Sequence, residues 1–342
     1  MKRELLASVC AIFCIFIANM GYSQHLDSIL FRSINLVHQE KFDEAFSLFD
    51  STIALAPEKP AGYFFKAAAY ANLASDYRNL TYSDTFFTYI DEAIEIGKAL
   101  KESGKAASED VFLYGGAVGF RGIYKSFYGD WFGAFKDGLK GKSLLEEARK
   151  MDSTNYDTYY GLGVYDYWRS AKTKMFWWLP FFSDKRKEGI DQILTAIEKG
   201  KLVKTEAKYA LIRIYENEKD YQAIIDLWET YLKDINQDDP FALYYLGRAM
   251  AKLQKYDKAV DIFNRLLDIY IRSPYYDQGA ELDVYYNLGV FYYEWGKNEQ
   301  ALKYLTLAKD LAESMSYRKD IEEAVKESSK YYKKALAAVE NN

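Results

Sequence analysis

The spacing of the apolar residues is the feature that most constrains the fold. From Gln24 onwards they recur at the three- to four-residue interval of an α-helix almost continuously, and no useful length of chain shows the alternation of a strand. Short breaks divide the chain into helix-sized segments, at 56–57, 102–104, 152–154, 237–240 and 272–274. Because these segments come in pairs, we predict an all-α protein: an α-solenoid of helix hairpins stacked on their neighbours.

Composition narrows the class of protein further. The 342 residues include 45 Lys and Arg and 50 Asp and Glu, which gives a net charge of −5 and argues against a nucleic-acid partner. The 20 glycines and 5 prolines are too few for a disordered or fibrous chain. Tyrosine is unusually abundant at 32 copies, so we expect rings with a polar tip at many packing or binding positions.

Three segments share a local pattern in which aromatic residues precede a Leu-Gly pair. The copies are Tyr159-Tyr160-Gly161-Leu162-Gly163, Leu243-Tyr244-Tyr245-Leu246-Gly247 and Tyr285-Tyr286-Asn287-Leu288-Gly289, the last followed by Tyr292, Gly296, Ala301 and Ala308. The pattern resembles the tetratricopeptide repeat (TPR), a pair of antiparallel helices, and predicts an irregular array of TPR-like hairpins. The small residue allows close helix approach, and the aromatic residue fills the gap to the next hairpin.

The breaks and the resemblance together predict the domain organisation. Residues 1–23 are a signal peptide, and residues 24–342 form one TPR-like α-solenoid. Within the solenoid we expect N-terminal repeats at 24–104, degenerate repeats with an aromatic insertion at 105–200, C-terminal repeats at 201–316 and a capping helix at 317–342.

The signal peptide is recognised by its three parts. Lys2 and Arg3 precede an apolar run from Leu5 to Ile17, and a small-x-small site ends at Ser23. The run is short for a transmembrane helix, so we expect an exported protein in the periplasm or outside the cell, part of a bacterial envelope; an uncleaved anchor is the alternative. Both cysteines, Cys10 and Cys14, lie in this segment, so the exported chain is expected to hold no thiol or disulfide.

The TPR resemblance also implies a binding surface. In TPR proteins the first helix of each hairpin lines a concave groove, and the family's groove positions correspond here to Tyr160, Tyr167, Trp168, Tyr209, Arg213, Tyr244, Arg248, Tyr286 and Tyr293. Asn287 matches an asparagine that binds peptide in some family members, but the lysines of the family's carboxylate clamp are missing. Tyrosine and arginine suit a peptide, a protein terminus or a sugar chain. The alternative is that these rings pack between repeats.

An aromatic insertion between basic residues is the second candidate surface. It contains five aromatic residues: Phe176, Trp177, Trp178, Phe181 and Phe182. Its rings amount to about 1,000 Å², which is more apolar surface than a protein normally exposes. The segment is therefore expected to lock between repeats, to dock on a partner protein, or to contact a membrane surface.

No catalytic, metal or cofactor site is predicted. His25 and His38 are the only histidines, too few for a His-based cluster, and we expect both at the surface. The chain lacks G-x-S-x-G and phosphate-loop motifs. Asp166 is the one residue we consider for carboxylate chemistry on a glycan; its alternative role is to bond a neighbouring helix.

The sequence therefore favours a non-catalytic scaffold or adaptor of the bacterial envelope. It would bind a peptide or protein partner in the tyrosine-rich groove and need no cofactor. A glycan-binding or glycan-processing protein that uses the same surface is one alternative, and a peripheral membrane-associated TPR protein is the other. The oligomeric state stays open.

Overall fold

The computed structural model describes residues 25–173, 183–316 and 321–340. The described residues form fifteen α-helices and no strand, which confirms the all-α fold. The helices are α1 (25–38), α2 (Phe42–Leu55), α3 (Pro60–Asp76), α4 (Ser83–Glu102), α5 (Ser108–Phe127), α6 (Trp131–Met151), α7 (Thr158–Thr173), α8 (Arg186–Lys199), α9 (Lys204–Glu218), α10 (Tyr221–Leu227, continued by a π-helical turn at Trp228–Leu232), α11 (Pro240–Lys252), α12 (Tyr256–Arg272), α13 (Gln278–Glu294), α14 (Asn298–Ser314) and α15 (Glu322–Glu340).

The chain divides into two compact units. The first comprises the residues up to Ala69 together with Thr85–Thr158, and the second comprises Tyr70–Asp84 together with the chain from Tyr159 onwards. The short segment at Tyr70–Asp84 is thus separated in sequence from the rest of its unit. Among the described helices, none has the length and hydropathy that a membrane span requires.

In the first unit, α5 and α6 pack closely because small residues face each other. A Cβ atom added to Gly141 would lie 2.9 Å from the Gly115 carbonyl oxygen and 2.9 Å from the Gly119 nitrogen. One added to Gly122 would lie 3.1 Å from the Ala134 carbonyl oxygen. These distances leave no room for larger side chains, so the glycines determine how near the two backbones come.

In the second unit, successive helices form hairpins that stack on one another. A Cβ atom on Gly163 would lie 2.5 Å from the Gly189 carbonyl oxygen, so α7 and α8 touch through their backbones. In the later hairpins the contact is with a side chain: a Cβ atom on Gly247 would lie 2.5 Å from the Phe263 ring, and one on Gly289 would lie 2.5 Å from the Leu305 side chain. This is the stacked arrangement that the repeat pattern predicts.

One local expectation is wrong: His38 is not a surface residue. It is 5% exposed and lies in α1 one turn after Ile34, which is 6% exposed. Residues four apart share a helix face, and on α1 that face is the buried one. His25 at the start of α1 is exposed, as expected.

Candidate functional site

The first helices of successive hairpins in the second unit present their side chains on a shared surface. Arg213 of α9 lies over the ring of Phe241 of α11, with 5.6 Å between the guanidinium carbon and the ring centre. Arg248 of α11 reaches back to Glu216 of α9 at 2.8 Å. We call this surface, formed by α7, α9, α11 and α13, the first-helix face. Arg213 and Arg248, two of the residues that the TPR resemblance placed in a groove, lie on it.

The predicted contact residues differ in exposure. Arg213 is exposed, and the half-buried members are Tyr160, Trp168, Tyr209, Tyr244, Arg248, Tyr286 and Tyr293. Tyr167 is 0% exposed and Asn287 is 4% exposed, so neither side chain is available to a partner in this conformation. For these two residues, the expectation of groove exposure is corrected.

Tyr167 is buried because it faces the neighbouring helices. A Cβ atom on Gly189 of α8 would lie 3.0 Å from the Tyr167 Cβ atom. The Tyr167 hydroxyl donates to Glu218 Oε1 at 2.7 Å and accepts from Asn217 Nδ2 at 2.6 Å. The ring therefore ties α7 to the end of α9, which is the packing role that the sequence left as the alternative.

Asn287 bonds within its own helix. Its Nδ2 donates to the backbone carbonyl of Asp283 at 2.7 Å and to the Asp283 carboxylate at 3.2 Å. The amide that contacts peptide in some family members here holds an acidic residue one turn earlier. Asp283 itself is 9% exposed, so it needs compensation by other polar groups.

Arg78 provides that compensation. It lies in the linker between α3 and α4, and its Nη2 bonds Asp283 Oδ2 at 2.5 Å across 205 positions of sequence. The neighbouring Tyr77 is 4% exposed and packs against Tyr270 and Tyr275, with ring centres 5.8 and 5.7 Å away. The linker is thus anchored on α12 and α13, so the chain's own Arg78 occupies this part of the first-helix face.

Tyr244 lies between two arginines. The guanidinium carbon of Arg78 is 5.6 Å from its ring centre, and that of Arg248 is 5.5 Å away. Arg248 also donates to the Tyr244 hydroxyl at 3.2 Å. Aromatic faces attract cations, so these contacts hold the ring in place. Tyr244 and Arg248 are therefore engaged inside the chain.

The sequence analysis missed Arg78. No repeat pattern includes it, because it lies in a connection between helices. The signals that the sequence does contain are an Arg in a short Tyr-Arg-Asn linker and an acidic residue, Asp283, between the apolar residues Leu282 and Val284. Neither signal identifies the other residue as its partner.

The face is more open around α9. Tyr209 donates its hydroxyl to Asp239 Oδ2 at 2.5 Å, and Asp239 caps α11 by accepting from the Ala242 nitrogen at 2.7 Å. The ring of Tyr209 meets Phe241 edge to face, with 5.8 Å between centres. Arg213 lies above the same Phe241 ring, and it forms no ion pair with any residue that the structure describes. We call Tyr209, Arg213 and Phe241 the open patch.

Asp166 is not placed for chemistry on a glycan. It is 4% exposed in α7, and its Oδ2 lies 3.5 Å from Gln192 Nε2 of α8. This position favours the alternative role, a polar contact between neighbouring helices. Within the described part of the chain, no group of three or more His, Cys, Asp and Glu side chains is arranged to hold a metal ion.

The aromatic insertion lies outside the described residues. This applies to Trp177, Trp178, Phe181 and Phe182. Their three predicted destinations stay predictions.

Burial gives several tyrosines of the second unit a raised pKa, which predicts a loss of stability in alkali. Burial raises the pKa of Tyr167 to about 12, and the Glu218 carboxylate adds to the effect. Burial also raises the pKa of Tyr244 to about 12, with a further contribution from Asp283. A raised pKa means that the folded state holds the proton more tightly than the unfolded state. This contribution is complete below pH 10 and is lost as the pH rises through about 12.

Tyrosinate absorbance and circular dichroism, followed together against pH, measure this effect. We expect helix content to fall in the same pH range in which tyrosinate forms. Tyr244→Phe should reduce the stability loss between pH 10 and 12, because that position no longer has a proton to release. An alkaline transition unchanged in Tyr244→Phe would contradict this account.

The stacked hairpins define a helical repeat protein. Residues 239–314 match the family model of the tetratricopeptide repeat. The TPR resemblance is thus confirmed for this region, which is less than a quarter of the 342 residues. Tetratricopeptide repeats generally mediate protein–protein interactions.

Comparisons with known proteins find other TPR proteins. YpiA of Bacillus subtilis (strain 168), a TPR repeat-containing protein, is 28% identical over 120 residues, or 35% of this chain. The match spans only about a quarter, 26%, of that relative's length. Any activity or partner of the whole relative therefore has no direct bearing on this chain.

Two crystal structures are similar at low sequence identity. One is YrrB, a TPR protein with an unusual peptide-binding site, at 18% identity and a TM-score of 0.42, covering 68% of this chain and 96% of that one. The other is the C-terminal part of a TPR repeat-containing protein from Cytophaga hutchinsonii, at 16% identity and a TM-score of 0.42, covering 86% and 98%. At this level of similarity they identify no partner for the chain.

Proposed function

We propose that the protein is a non-catalytic scaffold or adaptor of a bacterial envelope, and that it binds an extended peptide or protein segment on the open patch. The TPR match supports a role in protein interaction. The basic, apolar and small-residue pattern of residues 1–23 supports export. N-terminal sequencing of the protein recovered from fractionated cells tests the export step, and we expect the chain to begin at Gln24.

One observation carries the binding proposal: Arg213 is exposed and already positioned. Its guanidinium rests over Phe241, so the side chain has little rotamer freedom to lose when it binds. Arginine in such a position binds carboxylates in bidentate fashion. The open patch therefore suits a segment that carries an acidic side chain or a chain terminus.

Tyr209 supports the same partner chemistry. Its ring is held by Asp239 and by Phe241, so it offers a rigid apolar surface beside Arg213. Rigid aromatic side chains contribute contact area at low entropic cost. Tyr244 and Arg248 are secondary in this proposal because each is already engaged inside the chain.

A peptide array with acidic, neutral and basic variants of random sequences tests the proposal. Peptides that bind the chain from residue 24 onwards are expected to be acidic, and Arg213→Ala should weaken their binding about tenfold or more, since charge-assisted hydrogen bonds contribute ~1.5–3 kcal/mol. Arg272→Ala is the matched control, because Arg272 lies on α12, outside the first-helix face, and its side chain is 80% exposed.

Two results would reject the proposal. Equal effects of Arg213→Ala and Arg272→Ala would show that only bulk charge attracts the peptides. Binding to an oligosaccharide panel, lost with Tyr209→Ala and absent for every peptide, would instead support the glycan alternative.

A further inference from the structure

The turn that joins α5 to α6 exposes a cluster of large apolar side chains. We call it the hairpin tip; its members, between 41% and 81% exposed, are Ile123, Phe127, Tyr128, Trp131, Phe132, Phe135 and Leu139. The five aromatic members leave on the order of 500 Å² in contact with solvent, since a whole aromatic side chain offers ~150–250 Å². Exposed apolar patches of this size on a monomeric protein are often binding surfaces.

The hairpin tip exists because the two helices pack through their small residues. Gly115, Gly122 and Gly141 occupy the seam between α5 and α6. Phe132 and Phe135 follow helical spacing on α6 but lie outside that seam, and they are 81% and 65% exposed. Their apolar surface therefore needs another partner.

The turn itself is well defined. Gly129 has a φ of +83°, a left-handed backbone conformation that glycine adopts without steric cost. Asp130 caps α6 by accepting a hydrogen bond from the Gly133 nitrogen at 2.9 Å. These features hold the aromatic residues at the end of the hairpin. The exposure of the rings thus results from a regular turn between two helices.

The segment that carries the hairpin tip has a positive net charge although the chain as a whole is acidic. Residues 121–142 contain five basic and two acidic residues, a net charge of +3, against −5 for the complete sequence. Of the two acidic residues, Asp130 serves as the helix cap, and Asp137 is paired with Arg121 at 2.9 Å and Lys125 at 2.8 Å. Arg121 also pairs with Asp91, and Lys142 pairs with Glu146. Lys136 and Lys140 are exposed on α6, the latter with its Nζ 5.1 Å from the centre of the Tyr114 ring.

We propose that the hairpin tip binds the surface of a membrane that contains anionic lipids. Aromatic rings at the end of a hairpin fit the boundary between headgroups and acyl chains, where they need not cross the bilayer. Lys136 and Lys140 fit the phosphate layer above them, since lysine keeps its charge in water while its stem lies on apolar surface. This contact is independent of the open patch and involves residues other than the aromatic insertion.

Vesicle flotation with the chain from residue 24 onwards tests the proposal; residues 1–23 are left out because their apolar run would bind lipid by itself. We expect binding to phosphatidylglycerol-containing vesicles and little binding to pure phosphatidylcholine. Phe132→Ser with Phe135→Ser should lower the partition coefficient about tenfold or more. Ile271→Ser is the control, because Ile271 is 55% exposed on α12 in the second unit.

The contribution of the lysine charges and the depth of ring insertion into the membrane are tested separately. Lys136→Glu with Lys140→Glu should lower binding to anionic vesicles by about 25-fold or more, at roughly fivefold for each lysine lost. Because both native cysteines lie before residue 24, Phe132→Cys provides a single labelling site. A polarity-sensitive label there should shift to shorter wavelength with vesicles, and the same label at Ile271→Cys should not.

Several outcomes would overturn the proposal. In one, the chain does not float with anionic vesicles. In another, the double substitution Phe132→Ser and Phe135→Ser leaves flotation unchanged. Either result would contradict the proposal. Flotation lost only with Trp177→Ser and Trp178→Ser would assign lipid binding to the aromatic insertion. If the hairpin-tip variant instead converts a dimer to a monomer in light scattering, the surface is an interface between copies of the chain.

Discussion

Arg78→Ala is expected to lower the free energy of unfolding of the second unit by about 2 kcal/mol. The substitution leaves the Asp283 carboxylate, 9% exposed, without its guanidinium partner. Loss of one member of a fully buried ion pair costs about 3–5 kcal/mol, and the smaller value expected here reflects an Arg78 side chain that is 37% exposed. Urea denaturation, with hydrogen exchange in α11 and α13 as the local readout, measures the change.

A double-mutant cycle with Asp283→Asn separates the ion pair from other effects. The ion pair accounts for most of the stability lost in Arg78→Ala. The double variant should therefore have nearly the same free energy of unfolding as Arg78→Ala alone. Arg265→Ala is the control: its ion pair with Asp238 is exposed on both sides, so the expected change is below about 1 kcal/mol. Equal losses in Arg78→Ala and Arg265→Ala would contradict the anchoring role of Arg78.

The backbone at Arg78 gives the experiment a second control. Its φ is +54°, a left-handed conformation that L-residues adopt at some cost. Arg78→Gly removes the same ion pair but relieves this conformation, so it should be less destabilising than Arg78→Ala by roughly 1 kcal/mol. The difference between the two variants reports on the backbone alone.

The fold was predictable because its causes are local in sequence. Apolar spacing predicts an all-helical chain, and Gly247 and Gly289 mark where paired helices touch, which the structure confirms. The same short-range reading failed for His38, which looked like an isolated polar residue. The burial of His38 depends on which residues pack against α1, and the sequence around His38 does not identify those residues.

The site was predictable only in part, because its contacts join distant segments. Family positions indicate which residues face one surface, but not which are already bonded. Asp283 and Arg78 are 205 positions apart, and their pairing changes the availability of Tyr244 and Asn287. The hairpin tip is missed for a related reason: helical spacing places apolar residues on α5 and α6, but it does not state which of them the packing of the two helices leaves outside.

The largest contrast between two similar substitutions is expected within the hairpin of α5 and α6. A Cβ atom at Gly141 would meet backbone atoms of Gly115 and Gly119 at 2.9 Å, and backbone atoms cannot turn away as a flexible side chain can. Gly141→Ala must therefore separate the helices and is expected to destabilise the first unit by about 2 kcal/mol. At Gly119, an added Cβ atom meets nothing within 4 Å.

Gly119→Ala is the matched control, and its expected effect has the opposite sign. Alanine favours the helix over glycine by up to ~1 kcal/mol, and no steric cost offsets that gain at Gly119. Urea denaturation, with hydrogen exchange in α5 and α6 as the local readout, should place the two variants about 3 kcal/mol apart. If Gly141→Ala proved as stable as Gly119→Ala, the two backbones would not be in contact. The seam would then not explain why the aromatic rings of the hairpin tip lie outside it.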